Sequence, residues 1–315
     1  MLNKAQDAQK SECHQMNNDE SDENKFMQIS EKPCGIAANV VYQSLDEINY
    51  SLAWFTHHRR RESMFYPWYP TLSGNSWEKL RLQAISNFWR TVVTNRISPI
   101  TVHLAVWIVN KLFYIRRRYL MTREWFAGIV AVGLRIALKF EERPDSLWGI
   151  RKIWDVLPLF DDWHLDKRDL FLLRVETEAL RLLDDLLDVP LAVQFFDKYA
   201  SVGGWPPEMV KEYTSLGHFI LALSSFASGD KHPLCNIPPS ELAAAAVVLS
   251  VKIVNGDSRI PSYEFFPERF AAFTQCTMKQ LQPAVRGLSS LLRRKPEEAD
   301  ILARVYPEWG AHEWQ

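Results

Sequence analysis

Few of the side chains that could do chemistry stand at working spacings. Asp161-Asp162 and Asp184-Asp185 are paired carboxylates, the kind that hold metals or move protons. Apart from His164, no His lies near either pair at ligand spacing on one helix face, so both pairs read as solvated loop or helix-end charges. The four cysteines, Cys13, Cys34, Cys235 and Cys276, form no CxxC pair. That argues against a zinc site or disulfide framework and for a reducing compartment. No phosphate-binding loop, GxSxG, HExxH or kinase catalytic-loop motif occurs. No cofactor, metal or catalytic residue is expected.

Two charges stand where apolar residues are due. One stripe runs Ile129, Val132, Ile136, then Lys139 and Phe140. Another runs Leu172, Glu176, Ala179, Leu180, Leu183 and Leu187. A charge on an apolar stripe is costly unless it is paired or reaches water. Two readings follow. Lys139 snorkels from a helix end and Glu176 sits at the stripe's margin. Alternatively, both helices present one apolar partner patch whose register is set by a Lys and a Glu.

The elements that must position these residues are helices. Apolar positions recur at three- to four-residue steps from about Asp46, beginning with Ile48, Leu52 and Phe55. A loop punctuated by Pro67, Pro70 and Gly74 follows. Further helices are predicted over about 76–94 and from Ser98-Pro99, where Ser caps and Pro takes the first helical position. Others are predicted over about 122–141 behind Thr122, over 146–156, and after Asp166, as its cap, to about Leu187. Small residues (Ala127, Gly128, Ala131, Gly133, Ala137) are spread round the 122–141 helix, which marks it as a central helix approached from several sides. The segment 239–253, PSELAAAAVVLSVKI, repeats the device after the amphipathic 215–226. The class is all-α, with helical units over about 77–190 and 191–300, an N-terminal helix and connector over 46–76, and a C-terminal tail over 301–315.

Composition agrees. The chain has 315 residues, a net charge of −1 and 47% hydrophobic residues, enough for more than one core but without a field for nucleic acid or anionic membrane. Residues 1–45 are polar and acidic, as in NNDESDENK, and are expected to be disordered. They lack an apolar signal region, and the longest apolar run, Trp125 to Leu138, is interrupted by Arg135 and too short to span a bilayer. A soluble protein of nucleus or cytoplasm is expected. His57-His58-Arg59-Arg60-Arg61 is a short basic run, and Arg116-Arg117-Arg118 reads as complementing a helix C-terminus.

Several segments resemble the cyclin family. ALKFEE (137–142) is similar to the cyclin-box segment SKFEE or SKYEE, HLAVWIVNKLF (103–113) to LAVNYIDRFL, and DVPLAVQFFDKY (188–199) to the joining segment PT..QFL..Y. IPPSELAAAAVVLS (237–250), FPERF (266–270) and TQCTMKQLQPAV (274–285) resemble second-box segments, most like those of A- and B-type mitotic cyclins. The matches keep family order and spacing over about 46–290. The resemblance implies two tandem five-helix cyclin folds and a regulatory subunit that binds and activates a cyclin-dependent protein kinase without catalysing anything itself. It places kinase contacts on Lys139, Glu176, Ile136, Phe140, Leu180 and Leu187, which would hold the kinase C-helix in its active position. The alternative is a cyclin-fold adaptor or transcription-associated protein that activates no kinase.

The chain also departs from the family. The buried Arg of the first box helix falls on Gln83 and its Asp partner on Asn110, so these two are expected to hydrogen-bond in the core. The family's docking patch for Arg-x-Leu substrates falls on Leu82, Ile85 and Trp89. Ser86, Val92 and Ala127 replace its other members, which removes the polar partners for the motif's Arg. The tail, lacking Arg, has no RxxL destruction box.

Overall fold

The computed structural model describes residues 45–65, 75–116, 122–142, 165–184, 187–203, 205, 207–227, 232–234, 236–255 and 268–310. Every regular element among them is a helix, as the sequence predicts. The expected tail up to residue 44, the connector loop 66–74, the short helix at 146–156 and the carboxylates near 161–164 lie outside the described residues.

The N-terminal helix α1 (Leu45–Phe65) leads into α2 (Asn75–Asn95), α3 (Pro99–Arg116), α4 (Arg123–Glu141) and α5 (Leu165–Leu182). A second set follows: α6 (Ala192–Val202), α7 (Pro207–Ser224), α8 (Pro239–Val254), α9 (Glu268–Thr274) and α10 (Met278–Arg293). A 3-10 turn, Glu297–Ile301, and two short helices, α11 (Leu302–Val305) and α12 (Pro307–Gly310), complete the described chain.

Two helices act as hubs. α4 packs against α3 and α5, and α8 against α6, α7 and α10. The small residues explain why. A Cβ built on Gly128 would meet the Phe171 ring at 2.8 Å, and one on Gly133 would meet Val109 Cγ2 at 2.4 Å. So α5 approaches α4 at Gly128, and α3 approaches it at Gly133, closer than any side chain allows. In α8, Ala243, Ala244, Ala245 and Ala246 are all fully buried. A helix enclosed on all sides needs such small residues to let its neighbours in.

The helix ends follow local chemistry. Thr122 caps α4, its hydroxyl accepting the Trp125 N–H at 3.3 Å. α3 begins at Pro99, and the Ser98 N–H and Thr101 hydroxyl both donate to Glu142 Oε1 at 2.7 Å. The last acid of the ALKFEE segment therefore ties the start of α3 to the end of α4. Thr277 and Gln280 form a reciprocal capping box at α10. α5 departs from the sequence reading at both ends. It starts at Leu165, so Asp166 lies inside it, and it stops at Leu182 where Leu187 was expected. Asp184 sits at φ 51°, a left-handed conformation that α-helix cannot continue through.

α1 is no loose appendage. Its buried stripe is Ser51, Phe55, Glu62 and Phe65, while Leu52, expected on that stripe, is exposed. Phe55 stacks on Tyr199 of α6 at 4.8 Å. Arg59 donates to the Tyr199 hydroxyl at 3.1 Å and to the Phe273 carbonyl at 2.6 Å, and Arg61 pairs with Asp188. The basic run thus braces the helix rather than forming a free patch. At the other end, the segment expected as a C-terminal tail is helical through Gly310. Tyr306 lies between Trp89 of α2 and Phe219 of α7, and Trp309 Nε1 donates to Ser215 Oγ at 3.0 Å.

Candidate partner-binding site

α4 and α5 pack side by side, so the last turns of α4 lie along the middle of α5. Arg135 and Lys139 are one turn apart on α4, on the face toward Glu176. Glu176 occupies the buried stripe of α5 with Leu172, Val175, Ala179 and Leu183, and only 5% of its surface is exposed. Its Oε1 accepts from Lys139 Nζ at 2.5 Å. Its Oε2 lies 3.2 Å from Arg135 Nε, an ion-pair distance with an angle too poor for a hydrogen bond. One buried carboxylate thus faces two cations. The pairing removes the penalty of an isolated buried charge, and the half-exposed Lys139 head keeps part of its charge in water.

Phe140, next along α4, is 47% exposed, a large apolar surface beside the ion pair. Leu180 and Leu187 are half-buried. The structure therefore brings Lys139 and Glu176 together and leaves Phe140 outside. Ile136 departs from the expected ring. At 2% exposure it lies beneath the surface. The sequence reading used Arg135 only as a break in an apolar run and missed it as Glu176's second cation. Its spacing of four from Lys139 was the available signal.

The expected Gln83–Asn110 pair is not formed. Gln83 is exposed. The buried arginine is Arg81, fully enclosed, which donates to Asn110 Oδ1 at 3.3 Å, to Glu78 Oε1 at 2.8 Å and to the Ala227 carbonyl at 2.7 Å. A buried arginine thus stands two residues before the expected position, hydrogen-bonded to Asn110 and paired with Glu78. The expected docking patch is not a surface either. Trp89 and Ile85 are fully buried and Leu82 is 9% exposed, so these three present no face to a peptide. Trp89 instead donates from Nε1 to Ser225 Oγ at 3.1 Å, joining α2 to the end of α7. Arg116 also has a structural role, pairing with Glu178 of α5 and lying over the Trp125 ring.

Residues 190–307 match the family model of the cyclin C-terminal domain. A G2/mitotic-specific cyclin-B of Drosophila melanogaster is 25% identical over 225 residues, 68% of this chain and 37% of that protein. A G2/mitotic-specific cyclin-B3 of the same organism is 26% identical over 196 residues, 62% of this chain and 31% of that protein. The match spans about a third of the length of either relative. Residues 190–307 thus match a cyclin C-terminal domain, and the chain is distantly similar to cyclins of the mitotic types.

Proposed function

We propose that this protein is the regulatory subunit of a cyclin-dependent protein kinase in the nucleus or cytoplasm, non-catalytic itself, which seats the kinase C-helix against the α4–α5 surface. The observation that carries this reading is the Lys139–Glu176 ion pair beside exposed Phe140. Kinase activation requires the Glu of the kinase C-helix to meet the ATP-binding Lys, so a protein that holds that helix inward activates by shifting a population. Phe140 would supply apolar anchorage, with Leu180 and Leu187 at the margin. Lys139, half-exposed and shared between Glu176 and water, would set register. A second reading has one observation in its favour. Glu176 is nearly buried and already faces two cations, which is what a purely internal brace in an adaptor would show.

The test is pull-down and activity assay with a panel of cyclin-dependent kinases, comparing wild type with Phe140→Asp and with Lys139→Ala/Glu176→Ala. The expected outcome is binding and activation by wild type, with affinity lowered about a hundredfold by Phe140→Asp, the scale of one lost hot-spot residue. Failure of wild type to bind any kinase, or full binding by both folded variants, would make the adaptor the better reading.

A further inference from the structure

The charges that meet on the α4–α5 surface do not balance. Glu176 carries one negative charge, Lys139 and Arg135 carry two positive ones, and among the described residues Glu176 is the carboxylate paired with both. The two cations stand at i and i+4 on α4, where like charges repel unless something lies between them. A neutral pair needs only one of them, so the other is in excess.

Lys139 and Arg135 are held differently. Lys139 Nζ donates to Glu176 Oε1 at 2.5 Å, and the Lys139 side chain is 45% exposed. Arg135 is more enclosed, at 25%, and its Nε lies 3.2 Å from Oε2. That is a hydrogen-bond distance at the wrong angle, so the buried Nε–H and the buried Oε2 are each left without a hydrogen bond. Two such groups facing each other carry a desolvation cost that a small turn of the guanidinium recovers. The cation that reaches the surface is thus the one now bonded to Glu176, and the enclosed cation is poised to replace it. A partner that draws Lys139 outward would leave a buried carboxylate uncompensated and lose affinity, unless a second cation takes over.

We propose that Arg135 is a positioning residue that takes over Glu176 when Lys139 turns outward to a hydrogen-bond acceptor on the partner's helix, so that binding exchanges the ion pair instead of breaking it. The partner in this proposal rests on the kinase reading, whereas the exchange of cations is a property of this chain alone.

Thermal denaturation of Lys139→Met, Arg135→Leu and the double variant tests the exchange without a partner. Either cation alone satisfies Glu176, so each single variant should lower Tm by only about 2–4 °C. The double variant should lose at least about 5 °C more than their sum, since it alone leaves the carboxylate buried and unpaired. Adding Glu176→Gln to the double variant removes the charge and should restore most of that loss, which keeps the result readable if the double variant does not fold. Affinity for the kinase that wild type binds is then measured. Arg135→Leu keeps the Lys139–Glu176 bond and should fold, yet bind about tenfold more weakly. In a Glu176→Gln background the same substitution should change affinity by less than about twofold, because a neutral side chain needs no cation. Additive losses in Tm, wild-type affinity in Arg135→Leu, or an equal loss of affinity in the Glu176→Gln background would overturn the exchange and leave the kinase reading in place. If wild type binds no kinase, the kinase reading falls and the outward turn of Lys139 falls with it, while the Tm cycle still decides whether the two cations substitute for each other.

Discussion

Arg81 shows how much one residue can decide. It is enclosed completely yet holds three acceptors from three parts of the chain: Glu78 one turn before it, Asn110 on α3 and the Ala227 carbonyl after α7. Replacing it by Met keeps most of the volume but leaves the Ala227 carbonyl buried and unpaired and Glu78 without its cation. Arg81→Met should therefore cost on the order of 3 kcal/mol in urea denaturation, whereas Gln83→Met, on the exposed face, should stay within about 0.5 kcal/mol. If the two variants cost the same, the buried arginine has been misplaced. Arg81 was findable in the sequence. It shares a stripe with Ile85 and Phe88, the same pattern of a charge on an apolar face that exposed Lys139 and Glu176.

At the scale of elements, the small-residue helices make the sharpest claim. Alanine in a helix interior is normally better than glycine by about 1 kcal/mol. At Gly133 the sign should reverse, because a Cβ would lie 2.4 Å from the Val109 methyl, a branched side chain packed on α3 with little room to turn. Gly133→Ala should lose about 1–3 kcal/mol, the usual cost of overpacking, and Val109→Ala in the same chain should recover part of it. Thermal denaturation of the single and double variants checks this. Additive losses would mean that α3 and α4 do not meet there. α5 makes the complementary point. Its apolar periodicity ran on to Leu187, but Asp184 adopts φ 51° and the helix has already stopped at Leu182. Periodicity reports which face is buried, and it does not report where the backbone turns.

Over the whole molecule, the terminal segments act as braces. The carboxylate of Glu62, on α1, accepts the Ser240 N–H at 2.6 Å and the Ser240 hydroxyl at 2.7 Å. It thereby satisfies the first turn of α8, a helix that opens Pro-Pro and has no side-chain cap of its own. Burial is the main cause acting on Glu62 and raises its pKa above the ordinary 4.5. The Ser240 hydrogen bonds and Arg59 pull it down, and Glu241 pushes the same way as burial. A carboxyl raised in the folded state binds its proton more tightly there than in the unfolded chain. Its contribution to stability is therefore complete below the ordinary carboxyl value and is lost as pH rises through the raised one. The melting temperature of wild type should fall relative to Glu62→Gln across that window, and a constant difference between them would show that the buried carboxyl is not linked to folding.

The sequence by itself determined the helical class, the hub helices α4 and α8, the cap at Thr122, the start at Pro99 and the two charges Lys139 and Glu176. All of these depend on spacing within one segment, and local periodicity and capping carry that information. Tertiary structure alone decided that Arg135 joins Lys139 on Glu176, that Trp89 faces inward, that Glu62 serves a helix almost two hundred residues away, and that Tyr306 fills the seam between α2 and α7. Those relations hold between segments remote along the chain. A side chain's worth there depends on which element lies opposite, and no spacing within its own helix records that.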